Sequence, residues 1–385
     1  MFVPLFVLRN AFRHRLRTTL TVIGIIVAIT AFGLLRTIVD AWYAGANASS
    51  SARLVTRSSV SLVFSLPLNY APKIRQVPGV SSVAWANWFG GVYVSERNFF
   101  PQFAISGGSY LDVYPEFLLP DAERKAFLAD RVGAIAGRKL ADKYGWKVGD
   151  QIPLRGTIYP GTWTFTLRGI YDGAESGTDT STFFFHFDYL NESIKRLYPR
   201  RGDQAGVFIE QLRNPEEAAA VSEAIDTTFR NSLAETLTET EKAFQLGFVA
   251  MSEAILLAIQ AVSYVVIVII MAVMANTMAM TARERYGEYA TFKALGFSNG
   301  FVAMLIFAES LGIAMLGGLL GVAFTFPMAE AFASLVGSIL TGFKVSETTI
   351  MLQVAAAFVI GVVAAAVPAW NAARIRIVDG LRAIG

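Results

Sequence analysis

The sequence contains no cysteine, which excludes a thiolate nucleophile, a cysteine-ligated zinc and an iron–sulfur cluster. It has two histidines, His14 and His186, and no H-E-x-x-H pattern, so we expect no metal site. The dipeptide Gly-Lys is absent, which excludes a Walker A loop. Charged residues make up 16% of the chain, against about 25% in ordinary soluble domains. This shortage of charge is the first indication of membrane-spanning segments.

Long apolar runs account for much of the 54% hydrophobic content. Each falls at or above the lower limit of ~17 residues for a transmembrane helix. The sequence therefore predicts four transmembrane helices, and Pro327 is expected to end or kink the third. The runs are Thr18–Leu35, Ala254–Ala282, Gly300–Pro327 and Thr348–Ala373.

Basic residues flank these runs on one side of the membrane. Four arginines from Arg9 to Arg17 precede the first run, Arg283, Arg285 and Lys293 follow the second, and Arg374 follows the last. Loops rich in lysine and arginine stay cytoplasmic. Both termini are therefore predicted inside the cell, and the segment from about Asp40 to Gly247 outside it.

The predicted outer segment resembles a folded domain of mixed secondary structure. Strand-like runs rich in valine, phenylalanine and threonine alternate with helical patterns, which indicates an α+β fold. Asn214 followed by Pro215 is typical of a helix start. The run Phe183–Phe187 is interpreted as a core strand, with an exposed partner or lipid surface as the alternative, and His186 within it as a strand residue.

The end of this segment is predicted to be a stalk. From about Ser232 the pattern becomes helical and enters the second apolar run without a breaker. The uncharged part alone would be roughly 43 Å long as a helix, which exceeds the membrane core. A rigid helix that links the two sides of the membrane is therefore expected.

The predicted fold class is an α-helical membrane protein with four transmembrane helices and a large extracytoplasmic α+β domain inserted between helices 1 and 2. The predicted segments are a cytoplasmic interfacial helix (1–17), transmembrane helix 1 (18–40), the outer domain (41–231), stalk and helix 2 (232–282), a cytoplasmic coupling segment (283–299), helix 3 (300–327), an outer-face segment (328–347), helix 4 (348–370) and a cytoplasmic tail (371–385).

The short connection between helices 2 and 3 has its charges at the front and ends at Gly296, which predicts a short helix parallel to the membrane. By itself it could be a solvated connector or a docking surface. Its spacing resembles the E-R-x-x-E-[IV]-G-x-x-[KR]-A-L-G pattern of MacB/FtsX-type ABC transporter permeases, the mechanotransmission or type VII family. The matching residues are Glu284, Arg285, Glu288, Lys293, Ala294, Leu295 and Gly296.

Further segments are similar to the same family, including Phe307–Ser310, Gly317–Gly321 and Pro368–Arg374. Two residues of the coupling segment depart from it, Tyr289 and Ala290, where the family favours Ile or Val and Gly. The Asp-Pro pair that usually follows the final arginine is also replaced.

The resemblance implies that Arg283 to Gly296 is a coupling helix seated in a separate cytoplasmic ATPase. It further implies a homodimer or heterodimer of permease chains with two ATPase copies, which bind the ATP and magnesium; this chain itself is expected to need no cofactor and not to be an enzyme. The location would be a bacterial inner membrane. The implied function is export or extraction of a drug, lipid, lipoprotein or peptide. The alternative is an FtsX-like regulatory subunit that activates an extracytoplasmic enzyme. An adaptor or outer-membrane partner is left open, membrane lipids are expected, and nucleic acid is not.

Three residues inside the third run stand out. Gly317 and Gly321 form a small-xxx-small face suited to helix packing, with lipid exposure as the alternative. Glu309 is an acid within a predicted span, and such acids are functional candidates. A structural or coupling role is favoured for it over a proton relay.

Overall fold

The computed structural model describes residues 15–175, 177–336 and 343–374. The chain divides into a helical unit, with residues 1–40, 253–335 and 343–385, and an α+β unit, with residues 41–252 and 336–342. The interfacial helix predicted for residues 1–17 lies mostly outside the described residues, as does most of the tail after residue 374.

Within the described residues, four helices are long and apolar enough to cross a membrane, as the sequence predicts. Their packing in the helical unit centres on buried aliphatic side chains, among them Ile25, Met274, Ile306 and Ile360. The four are α1 (Arg15–Ala48), α9 (Glu253–Glu284), α11 (Asn299–Val336) and α12 (Glu347–Ala373).

Pro327 does not end the third of these helices. Helix α11 continues through it to Val336, so of the predicted end or kink the end is wrong, and residue 328 does not begin a separate segment. Membrane helices tolerate proline because neighbouring helices and hydroxyl side chains satisfy the freed backbone groups. Residues 337–342 of that segment lie outside the described residues.

The α+β unit is built on an eleven-stranded mixed sheet, in agreement with the predicted class. The main path of the sheet runs β13-β1-β12-β3-β5-β10-β7-β9-β8-β4, and β6 pairs with β9. A separate two-stranded sheet pairs β2 with β11. The strands are β1 (Arg53–Ser58), β2 (Leu66–Pro67), β3 (Val80–Trp88), β4 (Gly91–Val92), β5 (Gln102–Ile105), β6 (Phe117–Leu118), β7 (Gly133–Gly137), β8 (Gln151–Gly156), β9 (Gly161–Gly173), β10 (Phe183–His186), β11 (Gln204–Ala205), β12 (Val207–Leu212) and β13 (Thr236–Thr240).

Short helices connect these strands. Asn214 caps the 3-10 turn Pro215–Glu217 by accepting a hydrogen bond from the Glu216 amide, which confirms the predicted helix start. The helices of this unit are α2 (Tyr70–Arg75), α3 (Gly108–Val113), α4 (Asp121–Ala129), α5 (Arg138–Tyr144), α6 (Phe187–Leu197), α7 (Ala218–Thr228) and α8 (Glu241–Met251).

The aromatic run forms a central strand, as predicted. Strand β10 lies between β5 and β7, and its three phenylalanines are almost fully buried. Phe183 and Phe185 enter one core cluster and Phe184 another, because successive side chains of a strand point to opposite faces. His186 contacts the Phe127 carbonyl oxygen at 2.8 Å, and the described residues contain no cluster of metal-ligating side chains.

The stalk differs from its prediction in two respects. Residues 236–240 form strand β13 beside β1, so the helix begins at Glu241 and not near Ser232. The alternation of threonine in Thr236–Thr240 suits a strand, because β-branched residues pack well on a pleated surface. The helix also stops at Ser252, and α9 starts afresh at Glu253.

Candidate functional site

The segment after the second span folds as the predicted short helix, α10 (Tyr286–Ala294). Its inner face buries Tyr289 and Ala290 in the core of the helical unit. Gly296 has φ +92, a left-handed conformation that glycine adopts without strain at the end of a helix. Tyr289 stands where the family pattern has a branched aliphatic residue, and it is 1% exposed.

A buried ion pair fixes the start of α10. The Arg285 Nη1 donates to Glu309 Oε2 at 2.6 Å, and both side chains are about 5% exposed or less. Its Nε donates to Glu288 Oε2 at 2.9 Å, and its guanidinium lies 5.4 Å from the Tyr289 ring centroid. A charge inside a membrane unit is costly unless it is paired. Glu309 therefore anchors α10 to α11 through Arg285.

A lysine fixes the other end of α10. The Lys293 Nζ donates to the Ala373 carbonyl oxygen at 2.8 Å, in the last turn of α12. A cation at this position also opposes the negative end of the helix dipole. Helix α10 is thus held to α11 at its first turn and to α12 at its last.

The remaining residues of the predicted docking set lie on the surface. Leu295 is 72% exposed although it is a large apolar side chain, and Phe297 beside it is 45% exposed. Glu284 forms a bidentate pair with Arg17, with both oxygen–nitrogen distances 2.8 Å. The sequence analysis does not single out Phe297. An aromatic residue directly after the helix-ending glycine is the feature that could have identified it as part of this surface. The other exposed members are Arg283, Ala294 and Gly296.

Arg285, Glu288 and Lys293 do not belong to this exposed face. Arg285 is buried, and Glu288 and Lys293 are half-buried and hydrogen-bonded. The structure thus separates the predicted set into residues that hold α10 in place and residues that could meet a partner.

The two glycines of α11 lie against α1. A Cβ atom on Gly317 would come within 2.9 Å of the Ile25 Cβ, and one on Gly321 within 2.8 Å of the Ile29 Cβ. Real Cβ atoms do not approach so closely, so larger residues would push the helices apart. Both glycines therefore lie at a helix–helix contact and not toward lipid.

Polar side chains between the spans are used for interhelix hydrogen bonds. The Gln353 Nε2 donates to the Ile29 carbonyl and to Thr325 Oγ1, both at 2.8 Å. Thr30 donates to the Gly321 carbonyl at 3.0 Å, and Ser310 to the Gly361 carbonyl at 2.7 Å. These bonds stabilise the bundle in lipid, where unsatisfied polar groups are expensive.

Two protein-family models match the chain. The MacB-like periplasmic core domain matches residues 18–228, more than half of the chain. The FtsX-like permease C-terminal family matches residues 261–377, which include α10 and both anchoring contacts.

The chain is also similar to individual proteins. An uncharacterized ABC transporter permease of Methanocaldococcus jannaschii is 22% identical over 402 residues, which cover 98% of this chain and 96% of the relative. The extracellular domain of a noncanonical ABC-type transporter, YknZ, from Gram-positive bacteria is 13% identical (TM-score 0.35; 49% of this chain, 100% of that domain). The periplasmic region of MacB from Actinobacillus actinomycetemcomitans is 9% identical (TM-score 0.36; 51% of this chain, 92% of that region).

Permeases of this kind are multi-pass membrane proteins and generally non-catalytic, and they work with a partner ATPase. The four apolar helices and the large α+β unit fit that description. The chain belongs to the MacB/FtsX family of ABC transporter permeases.

Proposed function

We propose that this chain passes ATP-driven motion from a separate cytoplasmic ATPase to its α+β unit, held outside the cytoplasmic membrane, to export or extract a substrate. The observation that carries the proposal is the double anchoring of α10. Arg285 joins its start to Glu309 of α11, and Lys293 joins its end to the Ala373 carbonyl of α12. A helix fixed at both ends moves its neighbours when it is pushed.

The exposed end of α10 is the proposed contact for the ATPase. Leu295 and Phe297 present exposed apolar side chains on either side of Gly296, which has no side chain of its own. Burial of one leucine side chain is worth ~1.5–3 kcal/mol, which is roughly a 10- to 100-fold change in affinity. ATP and magnesium would be bound by the ATPase chains.

A second permease chain is part of the proposal. Helix α9 exposes many large apolar side chains, with exposures from 48% to 63%. Such a helix needs either lipid or another helix around it, and the family implies a partner chain. These side chains are Ile255, Leu257, Val262, Val265, Val268, Ile269 and Val273.

Replacing Leu295 with arginine is expected to reduce copurification of the ATPase with the full-length permease at least tenfold. The side chain is exposed, so the substitution removes apolar contact surface without disturbing the core of the helical unit. Leu233→Arg is the matched control, because Leu233 is fully exposed in the α+β unit. Copurification from membranes, with membrane insertion checked by carbonate extraction, measures the effect. Equal retention of the ATPase by both variants would place docking elsewhere.

The natural absence of cysteine makes the topology directly testable. A cysteine at exposed Leu233 is expected to react with a membrane-impermeant maleimide in intact cells. A cysteine at exposed Asn299 should react only after the membrane is permeabilised. The reverse labelling pattern would refute the assignment of the α+β unit to the outside.

A further inference from the structure

A cavity of about 500 Å³ lies within the α+β unit, on one face of its sheet. Strands β1, β3, β5, β10 and β12 contribute its floor, and the end of α1, helix α3 and the first turns of α8 contribute its walls. This volume is in the range of small-molecule sites, which are mostly apolar with a few polar groups.

Five aromatic rings form a continuous wall of this cavity. Their centroids follow one another at 4.6 Å (Tyr110–Tyr114), 5.4 Å (Tyr114–Phe117), 5.4 Å (Phe117–Phe184) and 6.3 Å (Phe184–Phe103). Ring faces carry negative partial charge and attract cations. The Arg53 guanidinium already lies 4.3 Å from the Tyr114 ring centroid, so this wall accommodates a positive charge.

The charged side chains that line the cavity are mostly negative. Arg53 is the one cation among the lining residues, which also include four carboxylates. Every nitrogen of Arg53 is engaged: Nε donates to Glu241 at 2.8 Å, Nη2 to Glu116 at 2.6 Å, and Nη1 to Glu116 and the Val113 carbonyl. The carboxylates are Glu116, Glu175, Asp179 and Glu241.

An anionic ligand would therefore meet excess negative charge and a guanidinium whose nitrogens are occupied. A cation would meet the carboxylates of Glu175 and Asp179, which do not take part in the Arg53 cluster, and the partly exposed rings of Phe103 and Phe117. An apolar body would replace water on these rings and on Val55 and Ile209 of the floor.

We infer that this cavity binds a hydrophobic organic cation, an apolar or aromatic body that carries an ammonium-type charge. Binding requires neither the ATPase nor nucleotide, so the inference stands apart from the docking of α10. The cavity is also lined by Glu241, Phe244 and Gln245 of α8, so an occupant would contact the helix that leads out of the α+β unit.

Ethidium, an aromatic cation whose fluorescence rises when it leaves water, is the probe. It is titrated onto the full-length permease in phosphatidylcholine nanodiscs, with empty nanodiscs as the blank. Saturable binding is expected, and Glu116→Gln should raise its Kd about tenfold because one carboxylate is lost. Glu239→Gln is the matched control, since Glu239 forms a similar half-buried pair with Arg57 at 3.0 Å outside the cavity.

A second comparison does not depend on altering an ion pair. Phe117→Leu should weaken ethidium binding, while Phe99→Leu, at an exposed ring that does not line the cavity, should not. On the unaltered protein, octyltrimethylammonium should compete with ethidium, and octyl sulfate should not. Equal Kd values for Glu116→Gln and Glu239→Gln, competition by the sulfate, or no saturable signal above empty nanodiscs would each overturn the inference.

Discussion

Replacement of Arg285 by methionine is expected to lower the free energy of unfolding of the helical unit by about 3–5 kcal/mol. The substitution leaves the Glu309 carboxylate buried, 4% exposed, without its 2.6 Å partner. Removing one member of a buried pair is costly because the remaining charge keeps its desolvation penalty and loses its attraction. The same change would free the first turn of α10, since Arg285 also holds Glu288.

The control for this prediction is Arg17→Met. Arg17 forms a bidentate pair with Glu284, but the two side chains are 30% and 39% exposed, so we expect an effect of about 1 kcal/mol or less. SDS titration of the full chain, followed by far-UV circular dichroism, measures both variants. The double variant Arg285→Met, Glu309→Leu should recover most of the loss because no charge remains buried. Equal effects of the two single variants would contradict a buried ionic anchor.

The α+β unit is expected to lose stability as the pH rises from about 4.5 to about 8. Glu210, in the interior strand β12, is fully buried, and this burial raises the pKa of its carboxyl to about 8 against a smaller opposing effect of the Thr56 hydroxyl. Because the pKa is higher in the folded than in the unfolded chain, the folded state holds a proton that the unfolded state has released. Stability therefore falls through this window, by up to ~5 kcal/mol.

Glu210→Gln should flatten this dependence and raise the melting temperature at pH 8, because the amide is never charged. Glu239→Gln, in the edge strand β13, serves as control and should keep the slope. Thermal unfolding of the full chain in nanodiscs, recorded by tryptophan fluorescence between pH 5 and 8.5, checks the prediction. An unaltered slope in Glu210→Gln would assign the pH dependence to other groups.

The features that could be predicted from the sequence are those set by local composition. Long apolar runs form helices in lipid, where every backbone group needs an internal partner, and the four long apolar helices follow. Gly296 at the end of α10 and Asn214 before Pro215 are short-range signals, and both elements formed as expected. The aromatic run is predicted to be a core strand, and its three phenylalanines are almost fully buried, as in a strand covered on both faces.

The features that were missed depend on contacts distant in sequence. Strand β13 pairs with β1, which lies about 180 residues earlier in the chain. The local sequence pattern around residues 236–240 contains no information about so distant a partner. Helix α11 passes Pro327, although proline disfavours a helix interior, and membrane helices tolerate such a residue. The sequence marks Glu309 as an unusual acid within a span. It does not specify Arg285 over Lys293 as the partner of Glu309, because that depends on which turn of α10 faces α11.

The burial of β10 on both faces has a consequence for how its neighbours align with it. If β10 slipped by one residue against β5 or β7, its three phenylalanines would still be buried. Hydrophobic burial alone therefore discriminates weakly between the native and the shifted strand register. His186, the first polar side chain after them, favours the native pairing over the shifted one. A shifted strand would separate its imidazole from the Phe127 carbonyl and lose this hydrogen bond. A histidine with no catalytic or metal-binding assignment thus helps to set the register of the strands at the centre of the sheet.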